Sequence, residues 1–190
     1  TFLWMSERSG WRHIYRYTAD GEMVGQVTSG DWPVKSLNCV NEDDGMLYFT
    51  GWQDSPTEQH LYRVSLNGGD TEQITQDAGW HGASFGKGCE SYIHSFSSQN
   101  QPPQRSVMGT DGERRFWLLE NALNEDHPYA PYLDSHLEWS WGQIEAADGQ
   151  MMDYQMLRPE GATADSPAAA MQLVYGGPGV QRVRNSWGNH

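Results

Sequence analysis

One short stretch combines residue types and spacing that could do chemistry. Val174-Tyr175-Gly176-Gly177-Pro178-Gly179-Val180-Gln181 joins an apolar run to a Gly-Gly-Pro-Gly loop. Glycines let such a loop turn sharply and bring its backbone close to a ligand without Cβ clashes. Tyr175 adds a phenolic hydroxyl, which is a hydrogen-bond donor at neutral pH. Acyl transfer needs donors of this kind. Its tetrahedral intermediate puts negative charge on the former carbonyl oxygen, and each donor already aimed there is worth about 3–4 kcal/mol. Tyr175 is therefore the candidate oxyanion-hole donor. The same residues also suit a simple tight turn after a strand.

The other chemically able residues point to structure. His13 and His60 each precede an aliphatic-Tyr pair, Ile14-Tyr15 and Leu61-Tyr62, so they are expected to serve a repeat. His81 and His94 are expected in strands, and His127, His136 and His190 in or near loops. No pair has zinc-site spacing with a third ligand. Glu42-Asp43-Asp44 is an acidic loop tip without the spacing of a calcium loop. Glu7 is expected to make a loop hydrogen bond or ion pair. Cys39 and Cys89 stand 50 residues apart, match no metal motif and no disulfide framework, and are expected as free or buried thiols. No metal and no cofactor is expected.

Tyr175 needs an element to present it. Ala169-Ala170-Met171-Gln172-Leu173-Val174-Tyr175 is short and mostly apolar, the pattern of a strand buried on both faces of an α/β sheet. A hairpin precedes it. Leu137 to Ile144 and Met151 to Leu157 flank the turn Asp148-Gly149, and Trp139 and Trp141 share one face. Pro159 to Pro167 is a loop. A second domain is therefore expected to begin near residue 137, after a linker or short helix over 121–136.

The first part of the chain repeats itself. Turns at Asp20-Gly21, Asn67-Gly68 and Asp111-Gly112 sit between runs rich in Val, Ile, Tyr, Phe and Trp. Asp-Gly and Asn-Gly tolerate the positive φ of tight hairpins. A repeat of roughly 45 residues carrying four strands is the measure of a β-propeller blade. Strands are expected at 2–5, 13–17 and 24–28, then at 34–40, 46–50, 60–64 and 71–75, then at 81–85, 92–96, 104–108 and 114–119. The opening strand of the first unit is expected upstream of Thr1. The fold class is thus mainly β: a partial β-propeller of about three blades, followed by the first β elements of a domain of α/β type. The domains divide as 1–136 and 137–190. A sandwich is the competing architecture, and the repeat argues against it.

Composition excludes other classes. Twelve basic against 25 acidic residues give a net charge of −13, which opposes binding to nucleic acid phosphates. No apolar run of 18 residues signals a membrane span, and no signal peptide is visible in the first ten residues. Twenty-three aromatic residues (nine Trp, nine Tyr, five Phe) argue against disorder.

Several stretches resemble the prolyl oligopeptidase family of serine peptidases, in particular its dipeptidyl-peptidase IV branch. They are Phe2 to Gly10, Arg12-His13-Ile14-Tyr15, Gln26 to Val34, Tyr48-Phe49-Thr50, Glu58 to Tyr62, and Val174 to Gln181 followed by Trp187. The resemblance runs collinearly over nearly the whole chain. It implies an eight-bladed propeller capping an α/β-hydrolase domain, a peptide substrate, and a serine exopeptidase that releases N-terminal dipeptides, often with proline second. It also suggests a homodimer for the whole enzyme, with the remainder of the same polypeptide as this chain's partner. The family's oxyanion tyrosine falls on Tyr175. A Gly-x-Ser-x-Gly nucleophile elbow is not expected within the 190 residues, and the family's Ser, Asp and His lie downstream. The paired glutamates that hold a substrate amino terminus lie upstream of Thr1. The chain alone is therefore expected to be inactive. The alternatives are a propeller-type binding module, or a related oligopeptidase or acylaminoacyl-peptidase. Localisation stays open between exported and cytoplasmic.

Overall fold

Three antiparallel sheets follow one another in the computed structural model, which describes residues 1–177 and 180–188. Sheet one holds β1 (Phe2–Ser6), β2 (His13–Tyr17) and β3 (Met23–Gln26). Sheet two holds β4 (Val34–Asn41), β5 (Met46–Gly51), β6 (His60–Ser65) and β7 (Glu72–Gln73). Sheet three holds β8 (Trp80–Phe85), β9 (Ser91–Ser98), β10 (Gln101–Gly109) and β11 (Arg114–Leu119). Each sheet is ordered as a meander, with every strand beside its sequence neighbour. These are propeller blades, and the eleven strands fall where the alternating runs place them. Among the described residues no helix is long and apolar enough to cross a membrane.

The turns repeat in detail. Gly21, Gly68 and Gly112 have φ of 88°, 82° and 84°, a region costly to any residue with a Cβ. Their N–H groups donate to Thr18, Ser65 and Gly109 carbonyls at 3.1, 2.9 and 3.1 Å.

Blade faces stack through two apolar clusters. Ile14, Val27, Trp32, Val34, Leu47, Phe49, Tyr62 and Val64 join the first two blades. Tyr48, Leu61, Cys89 and Tyr92 join the second and third. Strand β5 supplies both, because alternate side chains point to opposite faces. Leu47 and Phe49 enter the first cluster and Tyr48 the second. Trp32, Phe49 and Tyr62 stack in parallel with ring centroids 5.4–6.1 Å apart.

Cys39 and Cys89 are not free thiols. They form a disulfide with Cα atoms 6.0 Å apart, a separation the bond accommodates. A register shift between Leu37 and Cys39 marks a bulge in β4, and Cys89 closes a 3-10 turn, Lys87–Cys89, with φ of 59°. Face-to-face stacking brings these points together, and spacing along the chain carries no sign of it. In the loop-closure account, a 50-residue crosslink removes about 4 kcal/mol of chain entropy from the unfolded state.

The chain divides into two compact units, Thr1–Asn121 with the segment from Asn185, and Ala122–Arg184. The second unit contains a 3-10 helix, Ala130–Ser135, and a two-stranded ribbon of β12 (Trp139–Glu145) and β13 (Met151–Leu157). Gly149 turns that ribbon with φ of 85°. The expected strand over Ala169–Tyr175 is absent: this run has no regular structure and is exposed, Leu173 at 77%. A strand buried on both faces needs strands at its edges and layers on its faces. The ribbon of this unit supplies neither.

Candidate functional site

Tyr175 lies in the irregular run before Gly176 and Gly177, with its side chain 48% exposed. Its phenol folds over Gly177. A Cβ added there would stand 3.0 Å from the Tyr175 hydroxyl and 3.1 Å from its Cζ, closer than most real Cβ contacts. Around Gly176 a Cβ would meet nothing within 4 Å. Glycine at 177 leaves room for this tyrosine rotamer, which a Cβ would displace by a few tenths of an ångström. The hydroxyl sits at the surface and can donate to an acceptor there. Pro178 and Gly179 of the expected loop, and His190, lie outside the described residues.

The chain re-enters the bladed unit at Asn185. Its N–H donates to the Thr57 carbonyl (2.7 Å), and its side-chain Oδ1 accepts from Gln99 N–H (3.0 Å). Trp187 N–H donates to Ser97 Oγ at 3.4 Å, and Ser186 is buried. No pattern in residues 185–187 signals this docking, which depends on contacts far along the chain.

The histidines of the repeat act alike. His13 Nδ1 stands 3.1 Å from Thr28 Oγ1, and His60 Nδ1 stands 3.1 Å from Thr75 Oγ1. Each threonine hydroxyl also accepts the next backbone N–H, from Ile14 and Leu61, at 3.0 Å. Both histidines thus lock a blade, as the repeat predicts. At the third position, eight residues before Gly112, Gln104 stands instead and donates to the Glu120 carbonyl at 2.6 Å.

His81 and His94 lie on β8 and β9, as expected in strands, and the structure adds that they touch. His81 Nε2 lies 2.6 Å from the Asp77 carbonyl, which only accepts, so Nε2 carries the proton. His81 Nδ1 then accepts from His94 Nε2 at 2.8 Å. Burial pushes His81 down to about 3 and His94 down to about 4, so both rings are neutral at neutral pH. The His60 ring stacks on His81, centroids 5.0 Å apart. Burial likewise raises Tyr62 and Tyr92 to about 12 and keeps both phenols protonated.

A Gly-x-Ser-x-Gly string does occur once, as Gly82-Ala83-Ser84-Phe85-Gly86. It corrects the expectation that the pattern is missing, but it is no elbow. Ser84 lies within β8, paired with Ile93 in a flat ladder, not on a strand-to-helix turn. Alternation puts it on the face opposite His81. A motif of three fixed residues recurs by chance, and only its setting gives it chemistry.

The remaining candidates are structural. Asn41 Oδ1 accepts the Asp43 and Asp44 N–H groups and so ties the acidic tip into a turn. Among the described residues no three His, Cys, Asp or Glu side chains are grouped to hold a metal. Glu7 contributes a loop bond through its carbonyl, which accepts from Gly10 N–H at 2.9 Å. Tyr129 Oη and His136 Nδ1 lie 2.8 Å apart.

The stacked three- and four-stranded meanders define the class, a β-propeller segment. Residues 1–103 match the family model described as the dipeptidyl peptidase IV (DPP IV) N-terminal region, and the chain belongs to that family. It is 26% identical over 190 residues to a probable dipeptidyl peptidase 4 of Aspergillus flavus, covering 98% of this chain and 24% of that protein. To the dipeptidyl peptidase 4 of Trichophyton rubrum it is 28% identical over 189 residues, covering 96% and 24%. The chain thus spans about a quarter of the length of these relatives. The crystal structure of Porphyromonas gingivalis dipeptidyl peptidase 4 has the same fold over 98% of this chain and 26% of its own, with TM-score 0.80 and 23% identity.

Proposed function

We propose that this chain is part of a serine peptidase of the dipeptidyl peptidase IV type, releasing N-terminal dipeptides with proline favoured in second position. Residues 1–136 then belong to the last propeller blades and a linker. Residues 137–190 open the α/β-hydrolase domain. The observation that carries this reading is a pairing: the family match covers residues 1–103, and the alignment to named dipeptidyl peptidases runs on through the Tyr175 loop.

In this reading Tyr175 donates its hydroxyl to the oxyanion of the tetrahedral intermediate. A backbone N–H beside the nucleophile is the second donor. That serine and its His and Asp partners lie further along the polypeptide, so the 190 residues alone do not hydrolyse peptides. Gly177 supports the role by leaving the phenol its place. In the full-length enzyme, Tyr175→Phe lowers kcat by about 100-fold or more with KM little changed, because the bond forms only in the transition state. Steady-state kinetics on a dipeptide-releasing substrate measure this, and an unchanged kcat overturns the role. Ser84→Ala leaves kcat unaltered in the same assay.

A further inference from the structure

We propose that Cys39–Cys89 is a permanent structural disulfide, formed by thiol–disulfide exchange in an oxidising compartment before the second and third blades close on each other. These are the only two cysteines of the sequence. The bond joins the first strand of one blade to the turn between the first two strands of the next. It is not the only stitch along that seam. Asn38 Nδ2 donates to the Ala83 carbonyl (2.8 Å) and Asn41 Nδ2 to the Gly88 carbonyl (3.4 Å). The two asparagines flank Cys39 and hold the blades at bonding distance on both sides of it.

Burial sets the order of events. Cys89 is 2% exposed and belongs to the apolar cluster with Tyr48, Leu61 and Tyr92, and the half-buried Cys39 packs against that cluster. Exchange needs a thiolate and in-line access for the partner sulfur. The covered Cys89 thiol has neither in the closed seam, because burial disfavours the thiolate. Oxidation therefore happens while the seam is open. Each cysteine gives up its thiol proton. The two electrons pass to the disulfide of a thiol–disulfide oxidoreductase, which leaves as a dithiol, and one S–S bond forms in the chain. Once closed, the same burial shields the Cys89 side of the bond from reductant. Disulfides of this kind persist outside the reducing cytosol.

The test uses the full-length protein produced once in a bacterial periplasm and once in a reducing cytosol. After denaturation with an alkylating agent and no reductant, non-reducing digestion and mass spectrometry read the linked Cys39–Cys89 peptide. Near-complete linkage in the periplasmic protein is expected, and quantitative alkylation of both thiols there overturns the proposal. Reduction by a soluble phosphine is expected to be at least about tenfold slower in the folded protein than in denaturant. Equal rates overturn the shielded, permanent character. The Cys39→Ser/Cys89→Ser double variant is expected to melt at least about 5 °C lower, and an unchanged melting temperature also overturns it. Should that variant fail to fold, the linkage and reduction measurements on the wild-type protein still decide.

Discussion

Strand β5 (Met46–Gly51) and the run Ala169–Tyr175 are both short and apolar, yet one is buried on both faces and the other stands in solvent. Strand β5 lies between two neighbouring strands in its sheet and between two further sheets across its faces. Ala169–Tyr175 has no such neighbours in its unit. An apolar run is a capacity for burial, and the elements around it decide whether the capacity is used.

The largest effect expected from this contrast is in β5. Phe49→Ala removes a fully buried ring stacked on Trp32 and Tyr62 and should cost about 3–5 kcal/mol, read by urea unfolding followed by tryptophan fluorescence. A loss below about 1 kcal/mol would mean the blades are not close-packed as described.

Acid should act next, through the buried pair on β8 and β9. His81 and His94 bind protons more weakly folded, near 3 and 4, than the ordinary histidine value of 6.5. Between those values the unfolded chain carries more protons, so stability is complete above about pH 6.5, falls as pH drops from there toward 4 and 3, and levels off below them. The loss is on the order of a few kcal/mol. Thermal melts from pH 8 to 3.5 check it, and a flat profile would remove this account of the pair.

Smaller effects probe the repeat. Thr28→Ala and Thr75→Ala each strip a buried N–H and a histidine of their partner, and each should cost about 1–3 kcal/mol. A difference between the two well outside that range would show that the blades are not equivalent. The smallest effects lie in the exposed regions. Leu173→Ala should change stability by no more than about 0.5 kcal/mol. Arg63→Ala, which breaks an exposed pair with Glu72, should cost less than about 1 kcal/mol.

What could be read from residues alone follows the same line. The eleven blade strands were legible because alternation and Asn-Gly or Asp-Gly turns are local signals, repeated three times. The lock made by His13 and His60 was legible as a role, because equivalent positions do equivalent work. Its threonine partner was not, since nothing in residues 13 or 60 names a position 15 further on. The disulfide and the His81–His94 contact depend on how sheets stack and on register between strands, which no spacing records. Tyr175 stood out as a candidate by its type and its glycines, and its chemistry is part of the proposal. The strand expected to carry it was not formed, because its partners are not local.

The two kinds of fastening in the bladed unit differ in how they could be passed on. Each threonine–histidine lock spans 15 residues and lies wholly inside one repeat. A tandem duplication of that stretch of gene delivers a working lock with every new copy. The Cys39–Cys89 bond spans 50 residues and two repeats. Copying either repeat alone yields an orphan thiol, so a fastening of that sort can only arise once the array is already in place, one pair of neighbours at a time.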